Sequence, residues 1–276
     1  MTSSRAVAEV VLVTGAGSGI GRATAKAFAD LGASLIVCDI DPAGLAATEA
    51  ELGPKCLFAK VVDVASRDAM AAFAAEVHAR VSAVDVLVNN AGVALHGGVL
   101  DTSLDDWDWL LGINLKGVIH GCHFFAPSML ARRKGHIVNV SSTYGFVASS
   151  AVLAYATSKF AVFGLSEALR AEVSSQGVGV TTICPGMINT NIVKRARWSG
   201  ATAGDHAHAV RLFEQRGAAP EKVAQAIVDG VRKKKDVVPV APEAWVLYGL
   251  KRLAPRLTAG LIRRFEDRLL PSLGKR

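Results

Sequence analysis

Seven short runs rich in Val, Ile and Leu recur along the chain, and longer segments of helical period separate them. The runs occupy residues 10–14, 34–38, 57–62, 86–89, 136–141, 179–184 and 237–240. Such runs are apolar on both faces and cannot meet water on either side. The alternation therefore predicts a parallel sheet with helices on both faces. Right-handed crossovers make it an α/β, doubly wound sheet of seven strands. Two helix starts are legible. Asp41 precedes Pro42 as an N-cap followed by a first-turn proline, and Ser66 is a good cap for the next helix. No internal repeat or low-complexity linker interrupts residues 1–240, which read as one domain.

Composition removes other classes. Of the 276 residues 51% are hydrophobic, which excludes a disordered chain. No run of about 18 apolar residues is free of charge, so no membrane-spanning helix is expected. The first fifteen residues lead straight into a glycine motif and lack the signature of a secretory leader; a cytoplasmic protein is expected. Cys38, Cys56, Cys122 and Cys184 are scattered and match no metal spacing. His96, His120 and His123 have no ligand partners at convincing spacing and read as structural or surface residues, so no metal site is expected. Residues 1–230 hold 19 Lys+Arg against 20 Asp+Glu, a balance of −1; residues 231–276 hold 12 against 4, a balance of +8. The basic character belongs to the tail alone, which argues against a nucleic-acid partner.

The first run opens into Thr14-Gly15-Ala16-Gly17-Ser18-Gly19-Ile20-Gly21, and a helical pattern follows at once. Glycines allow a tight turn and a close approach of backbone to a pyrophosphate. The helix then directs free N–H groups and its positive end at that anion. Glycine also collects in ordinary turns. Here the octad joins a strand to a helix, and Asp39 closes the second strand 18 residues beyond Gly21, which favours a dinucleotide site. A carboxylate there accepts hydrogen bonds from ribose hydroxyls and repels a 2′-phosphate. Positions 16, 17, 18 and 40 are Ala, Gly, Ser and Ile, so no arginine is obviously placed to compensate. NAD is the expected cofactor, with NADP disfavoured.

Tyr155 and Lys159 stand four apart on one helical face. An ammonium so placed favours a phenolate and is expected to draw the tyrosine pKa from about 10 toward neutrality. Such a phenol can exchange a proton with an alcohol or carbonyl. The octad, Asn89-Asn90-Ala91-Gly92, Asn114, Ser142, the Tyr155–Lys159 pair and Pro185-Gly186-Met187-Ile188-Asn189-Thr190 occur in that order. Together they resemble the short-chain dehydrogenase/reductase family, over residues 8 to about 240.

The resemblance implies a Rossmann-type fold and an NAD(P)-dependent oxidoreductase acting on CH–OH groups. By it, Tyr155 is the acid/base and Lys159 holds the nicotinamide ribose and lowers the tyrosine pKa. Ser142 bonds the reacting oxygen, and Asn114 holds a water that links Lys159 to solvent. Gly15, Ser18, Gly19, Ile20 and Gly21 cradle the dinucleotide. Asp63 and Val64 frame the adenine, Asn90, Ala91 and Gly92 line the cofactor channel, and Ile188 and Thr190, in a turn begun by Pro185 and Gly186, hold the carboxamide. Ser141, next to Ser142, faces the other way on a strand and reads as structural. Tyr144 has no lysine four residues on and reads as pocket wall. The family also implies a homodimer or homotetramer.

Residues 191–219 lose strand period and read as a lid. Met187, Ile192, Val193, Trp198, Leu212 and Phe213, with Leu95, Phe146 and Val147 from other loops, would line a pocket for a small apolar alcohol or carbonyl substrate. From Pro242 on, Val246, Leu250, Leu253, Leu257, Leu261 and Phe265 recur at steps of three or four, interleaved with Lys251, Arg252, Arg256, Arg263, Arg264 and Arg268, and Pro255 should divide the helix. This extension, residues 241–276, reads either as a membrane-surface helix through 243–276 or as one packed on a partner subunit or the pocket mouth. The leading reading is an NAD-dependent alcohol oxidation. An NADPH-dependent carbonyl reductase and a non-catalytic dinucleotide sensor compete with it.

Overall fold

The computed structural model describes residues 8–269, apart from the side chains of residues 201–203 and 265–269. Phe265 and Arg268 of the expected amphipathic pattern, and residues 270–276 of the extension, thus fall outside the described side chains or residues. The seven expected strands form one sheet: β1 (Val10–Thr14), β2 (Ser34–Asp39), β3 (Cys56–Val61), β4 (Val86–Asn89), β5 (Gly135–Val140), β6 (Val178–Pro185) and β7 (Val237–Val240). Their order is β3-β2-β1-β4-β5-β6-β7, and every neighbouring pair is parallel. The helices are α1 (Gly19–Asp30), α2 (Pro42–Leu52), α3 (Arg67–His78), α4 (Leu104–Leu111), α5 (Gly117–Ala131), α6 (Leu153–Val173), α7 (His206–Arg216), α8 (Pro220–Arg232), α9 (Pro242–Leu253) and α10 (Pro255–Leu269).

Successive strand residues point to opposite faces, and both faces are buried. Val11, Val13, Leu35 and Val37 pack with Phe28 of α1 and with Val223 and Ile227 of α8. Leu12, Ile36, Leu87 and Ile137 pack on the other face with Met70 and Phe73 of α3 and Phe125 and Met129 of α5. Burial of each such side chain contributes about 1.5–3 kcal/mol. The expected caps are in place. Asp41 accepts from the N–H groups of Ala43 and Gly44, both at 3.2 Å, and Ser66 Oγ from Ala69 N–H at 3.2 Å. The division at Pro255 is also present, since α9 ends at Leu253 and α10 begins at Pro255.

Two features were not foreseen. A π-helical turn spans Gly112–Lys116, between α4 and α5. Leu95–His96 pairs in parallel with Arg197–Trp198 as a two-residue ribbon. The lid itself carries short helices, a 3-10 stretch at Gly200–Asp205 followed by α7. Among the described residues no helix is long and apolar enough to cross a membrane.

One buried carboxylate ties sequence-distant segments together ahead of the site. Asp85 Oδ2 accepts from the N–H groups of Glu9 and Val10 at 2.9 and 3.0 Å, while Arg132 and Lys134 lie 3.0 and 3.4 Å from Oδ1. Burial alone would raise its pKa, but the two N–H donors and two cations outweigh it and hold the group below the ordinary carboxylate range. Asp85→Ala should therefore cost about 2–4 kcal/mol at neutral pH. A depressed pKa gives stability that is present above the unfolded value of about 3.9 and is lost as pH falls through the folded value. Denaturant titrations should show the gap between wild type and variant narrowing in acid. An equal gap at pH 7 and in strong acid would refute this account.

Candidate active site

Crossovers from β1 and β4 leave in opposite directions, so a crevice opens beyond the carboxyl ends of these strands. A cavity of about 340 Å³ lies there, within the range of small-molecule sites. Its wall includes Gly15, Ser18, Gly19, Ile20, Asp39, Asp63, Val64, Asn90, Ala91, Gly92, Ser142, Tyr155, Lys159, Pro185, Gly186, Ile188 and Thr190. Residues far apart in sequence are thereby brought to one place. Gly21 and Asn114 lie behind the wall rather than in it.

At one end, Gly15 has φ +64°, and a Cβ there would come within 2.7 Å of Ala91 Cα. Asn90 locks the turn: its Nδ2 donates to the carbonyls of Thr14 and Gly15 at 2.9 and 3.1 Å. Ser18 precedes α1 without capping it by its side chain, and the first turn carries no acidic residue. The leading N–H groups are thus left for an anion. Asp39 sits beneath the turn, where its Oδ2 accepts from Gly17 N–H at 2.7 Å and its Oδ1 from Asp41 N–H at 2.9 Å. Each oxygen retains a lone pair for a further donor.

At the other end, β5 runs into Ser141 and Ser142, which lie beyond the strand's last residue; both line the cavity and both reach α6, so they do not face apart as strand alternation would have it. Ser141 Oγ donates to the Lys159 carbonyl at 2.9 Å. Ser142 is hydrogen-bonded to the Tyr155 side chain. Tyr144 stands edge-on to Tyr155, with ring centroids 6.2 Å apart, and forms part of the wall. Lys159 is buried, and its Nζ donates to the Val140 carbonyl at 3.0 Å. Asn114, inside the π turn, is fully buried. Its Oδ1 accepts from Val93 N–H at 2.8 Å, and its Nδ2 donates to the Val93 carbonyl and Ser158 Oγ at 3.0 and 3.1 Å. Asn114 thus braces the segment after β4 against α6, with its side chain committed to protein partners.

The expected shift of Tyr155 is corrected by this geometry. Lys159 Nζ lies 5.7 Å from the Tyr155 ring centroid. Burial pushes the phenol up to about 12 despite the opposing Ser142 hydrogen bond, and burial pushes the ammonium down to about 8. In the chain by itself, desolvation of both charged forms outweighs the attraction between them.

The substrate side is partly as expected. Ile192, Val193, Leu212 and Phe213 line the cavity. The other five residues named for it are absent from the wall. Phe146 and Val147 pack instead with Ile262, Leu247 and Tyr248 of the C-terminal helices. Leu95 packs with Leu110 and Ala154, and Trp198 stacks on His96 with centroids 3.6 Å apart. Met187 lies outside the wall, and its carbonyl accepts from Ala218 N–H.

Comparison with known proteins then settles the family. Residues 9–199 match the profile of short chain dehydrogenases. The chain belongs to that family. This short-chain dehydrogenase is 44% identical over 263 residues to "Probable oxidoreductase EphD" of Mycobacterium tuberculosis, covering 90% of this chain but only 43% of that relative's length. It is 38% identical over 252 residues to "Putative oxidoreductase SadH" of the same species, covering 89% and 90% of the two chains. A Burkholderia phymatum short chain dehydrogenase/reductase, solved in complex with NAD, superposes with a TM-score of 0.83 at 29% identity, over 90% of this chain and 94% of that one.

Two ionisable wall residues of the dehydrogenase escaped the sequence reading. Arg195, on the lid, reaches the cavity beside the start of α2 and pairs with Asp41 at 3.2 Å; 154 residues separate them, so no local pattern could reveal it. His96 lines the cavity, and burial holds its pKa down at about 3, so the ring is neutral there. A lone histidine beside Gly97 carried no signal of that position.

Proposed function

We propose that this short-chain dehydrogenase uses NAD to oxidise a small apolar alcohol, secondary or primary, to its ketone or aldehyde. The observation that carries this is the Ser142–Tyr155–Lys159 group, set in the same cavity as the glycine turn and Asp39. The cofactor's fit is supported by the tight turn that Gly15 and Gly21 permit, where any side chain would strike the turn's own backbone, Asn90 or Ala91, and by the uncapped start of α1. The half-free Asp39 carboxylate favours ribose hydroxyls over a 2′-phosphate, which supports NAD.

When bound, the nicotinamide supplies the hydride acceptor and one positive charge. Tyr155 takes the hydroxyl proton at its phenolic oxygen. Ser142 Oγ donates to the reacting oxygen and steadies the charge that develops on it. Lys159, held by the Val140 carbonyl, supplies the cation that favours the phenolate. Gly19, Ile20, Asp63, Val64, Asn90, Ala91, Gly92, Pro185, Gly186, Ile188 and Thr190 fit the cofactor's length, while Asn114 and Gly21 hold this shape from behind. Ile192, Val193, Leu212 and Phe213 favour an apolar substrate. Residues 1–240 carry the chemistry, in a cytoplasmic homodimer or homotetramer. A second reading, an NADPH-dependent carbonyl reductase, draws on Arg195, although Asp41 already neutralises that cation.

The test measures reduced-cofactor formation with NAD and NADP over a panel of apolar alcohols and polyols. Wild type should favour NAD and apolar alcohols. Asp39→Asn, which removes the charge and keeps one acceptor, should narrow the NAD-over-NADP preference by about tenfold. A wild type that prefers NADP, or one that binds NAD yet turns over no alcohol on the panel, would overturn the proposal.

A further inference from the structure

We propose that α9 and α10 form a docking face for an anionic lipid bilayer, an inference independent of the catalytic reading. Each helix is apolar on two sides. Inward, Ala244, Thr258 and Ile262 are buried, and Tyr248 stands edge-on to Phe146. That side is already occupied by the body of the protein. Outward, Trp245 is 50% exposed, Val246 66%, Leu253 88%, Leu257 57% and Leu261 42%. At 3.6 residues per turn, Val246 and Leu253 fall opposite Ala244 and Tyr248, and Trp245 flanks them about 100° round the helix. On α10, Leu257 and Leu261 stand one turn apart on one side, and large apolar side chains so exposed on two adjoining helices mark a surface that is covered in use.

The charge around them identifies the cover. Arg252, Arg256, Arg263 and Arg264 are exposed, and none is ion-paired among the described side chains. Arg252 turns back only to the Tyr248 hydroxyl, at 3.0 Å. Residues 242–276, which include both helices, hold 8 Lys+Arg against 3 Asp+Glu, a balance of +5, while the first 230 residues balance at −1. A second copy meeting this face with its own would press like charges together. Nucleic acid would match the charge and leave the leucines in water. An anionic bilayer answers both, with headgroups against the guanidinium groups and the acyl boundary against the apolar stripe. Trp245 suits the headgroup level, where an indole satisfies its apolar body and its polar N–H together.

The experiment uses the full chain with vesicles of phosphatidylcholine alone and of phosphatidylcholine mixed with phosphatidylglycerol. Wild type should sediment with the anionic vesicles and far less with the neutral ones, and salt should weaken the binding. Arg256→Gln/Arg263→Gln/Arg264→Gln should lower partition onto anionic vesicles roughly a hundredfold, at about fivefold per cation. Trp245→Ser/Leu257→Ser should lower it on both compositions. All five side chains are exposed, so melting temperature and NAD affinity should match wild type in both variants, separating a failure here from a failure of the catalytic reading. Wild-type sedimentation that ignores lipid charge, or variants that sediment like wild type, would overturn the proposal. So would a serine variant that turns a stable oligomer into monomers while the wild type ignores vesicles, since the face would then belong to a second copy.

Discussion

Tyr155→Phe lowers turnover about a thousandfold and leaves NAD affinity and melting temperature close to wild type. The change deletes one oxygen. The ring keeps its edge-on contact with Tyr144, and no part of the dinucleotide cradle depends on the phenol. Steady-state rates with the best alcohol, set beside calorimetric NAD binding, check it. Undiminished turnover would exclude Tyr155 as the acid/base. The pH profile adds a second readout. Burial holds the phenol at about 12 in the chain alone, so a base working near neutrality requires that value to fall when positive charge enters the site. The alcohol-oxidation rate should rise with pH through an apparent pKa well below 12. Lys159→Met, which removes one of the cations, should move that pKa upward.

Gly21→Ala has the other large effect, and it falls on binding instead of chemistry. An added methyl would overlap the Gly15 carbonyl oxygen and come within 2.6 Å of Asn90 Nδ2. Neither neighbour can give way. Gly15 is fixed by its φ of +64°, and Asn90 Nδ2 already donates to two carbonyls of the turn. Overpacking of this kind costs about 1–3 kcal/mol, and the displaced turn should lower NAD affinity by at least about tenfold. Gly164→Ala is the control. Gly164 lies in α6, where a Cβ meets nothing within 4 Å, so the protein should gain about 0.5–1 kcal/mol. Thermal melts with and without NAD distinguish the two, and a Gly21→Ala protein that binds NAD like wild type would refute the role given to that glycine.

What could be read from residue order was whatever repeats locally. Strand runs buried on both faces, the caps at Asp41 and Ser66, the break at Pro255 and the glycine turn each depend on neighbours within a few positions. What escaped depends on partners far along the chain. Arg195 meets Asp41 only because the lid folds back over the start of α2. Phe146 and Val147 look like pocket residues until α9 and α10 claim them. The π turn around Asn114 is a change in hydrogen-bond register with no composition of its own. The sign of the Tyr155 shift was missed for a related reason: helical spacing gives the distance to a cation but not the depth of burial, and burial prevailed.

The segment over the substrate side is stitched down at both of its ends by main-chain hydrogen bonds. Arg197 and Ser199 N–H groups bond the Ala94 and His96 carbonyls at 3.2 and 2.9 Å, and Ala218 is bonded to Met187 and Asn189, both at 2.9 Å. What lies between, including Leu212 and Phe213, hangs from these fastenings. New side chains on α7 should therefore reshape that part of the cavity wall while the strand ends and the serine–tyrosine–lysine geometry stay where they are.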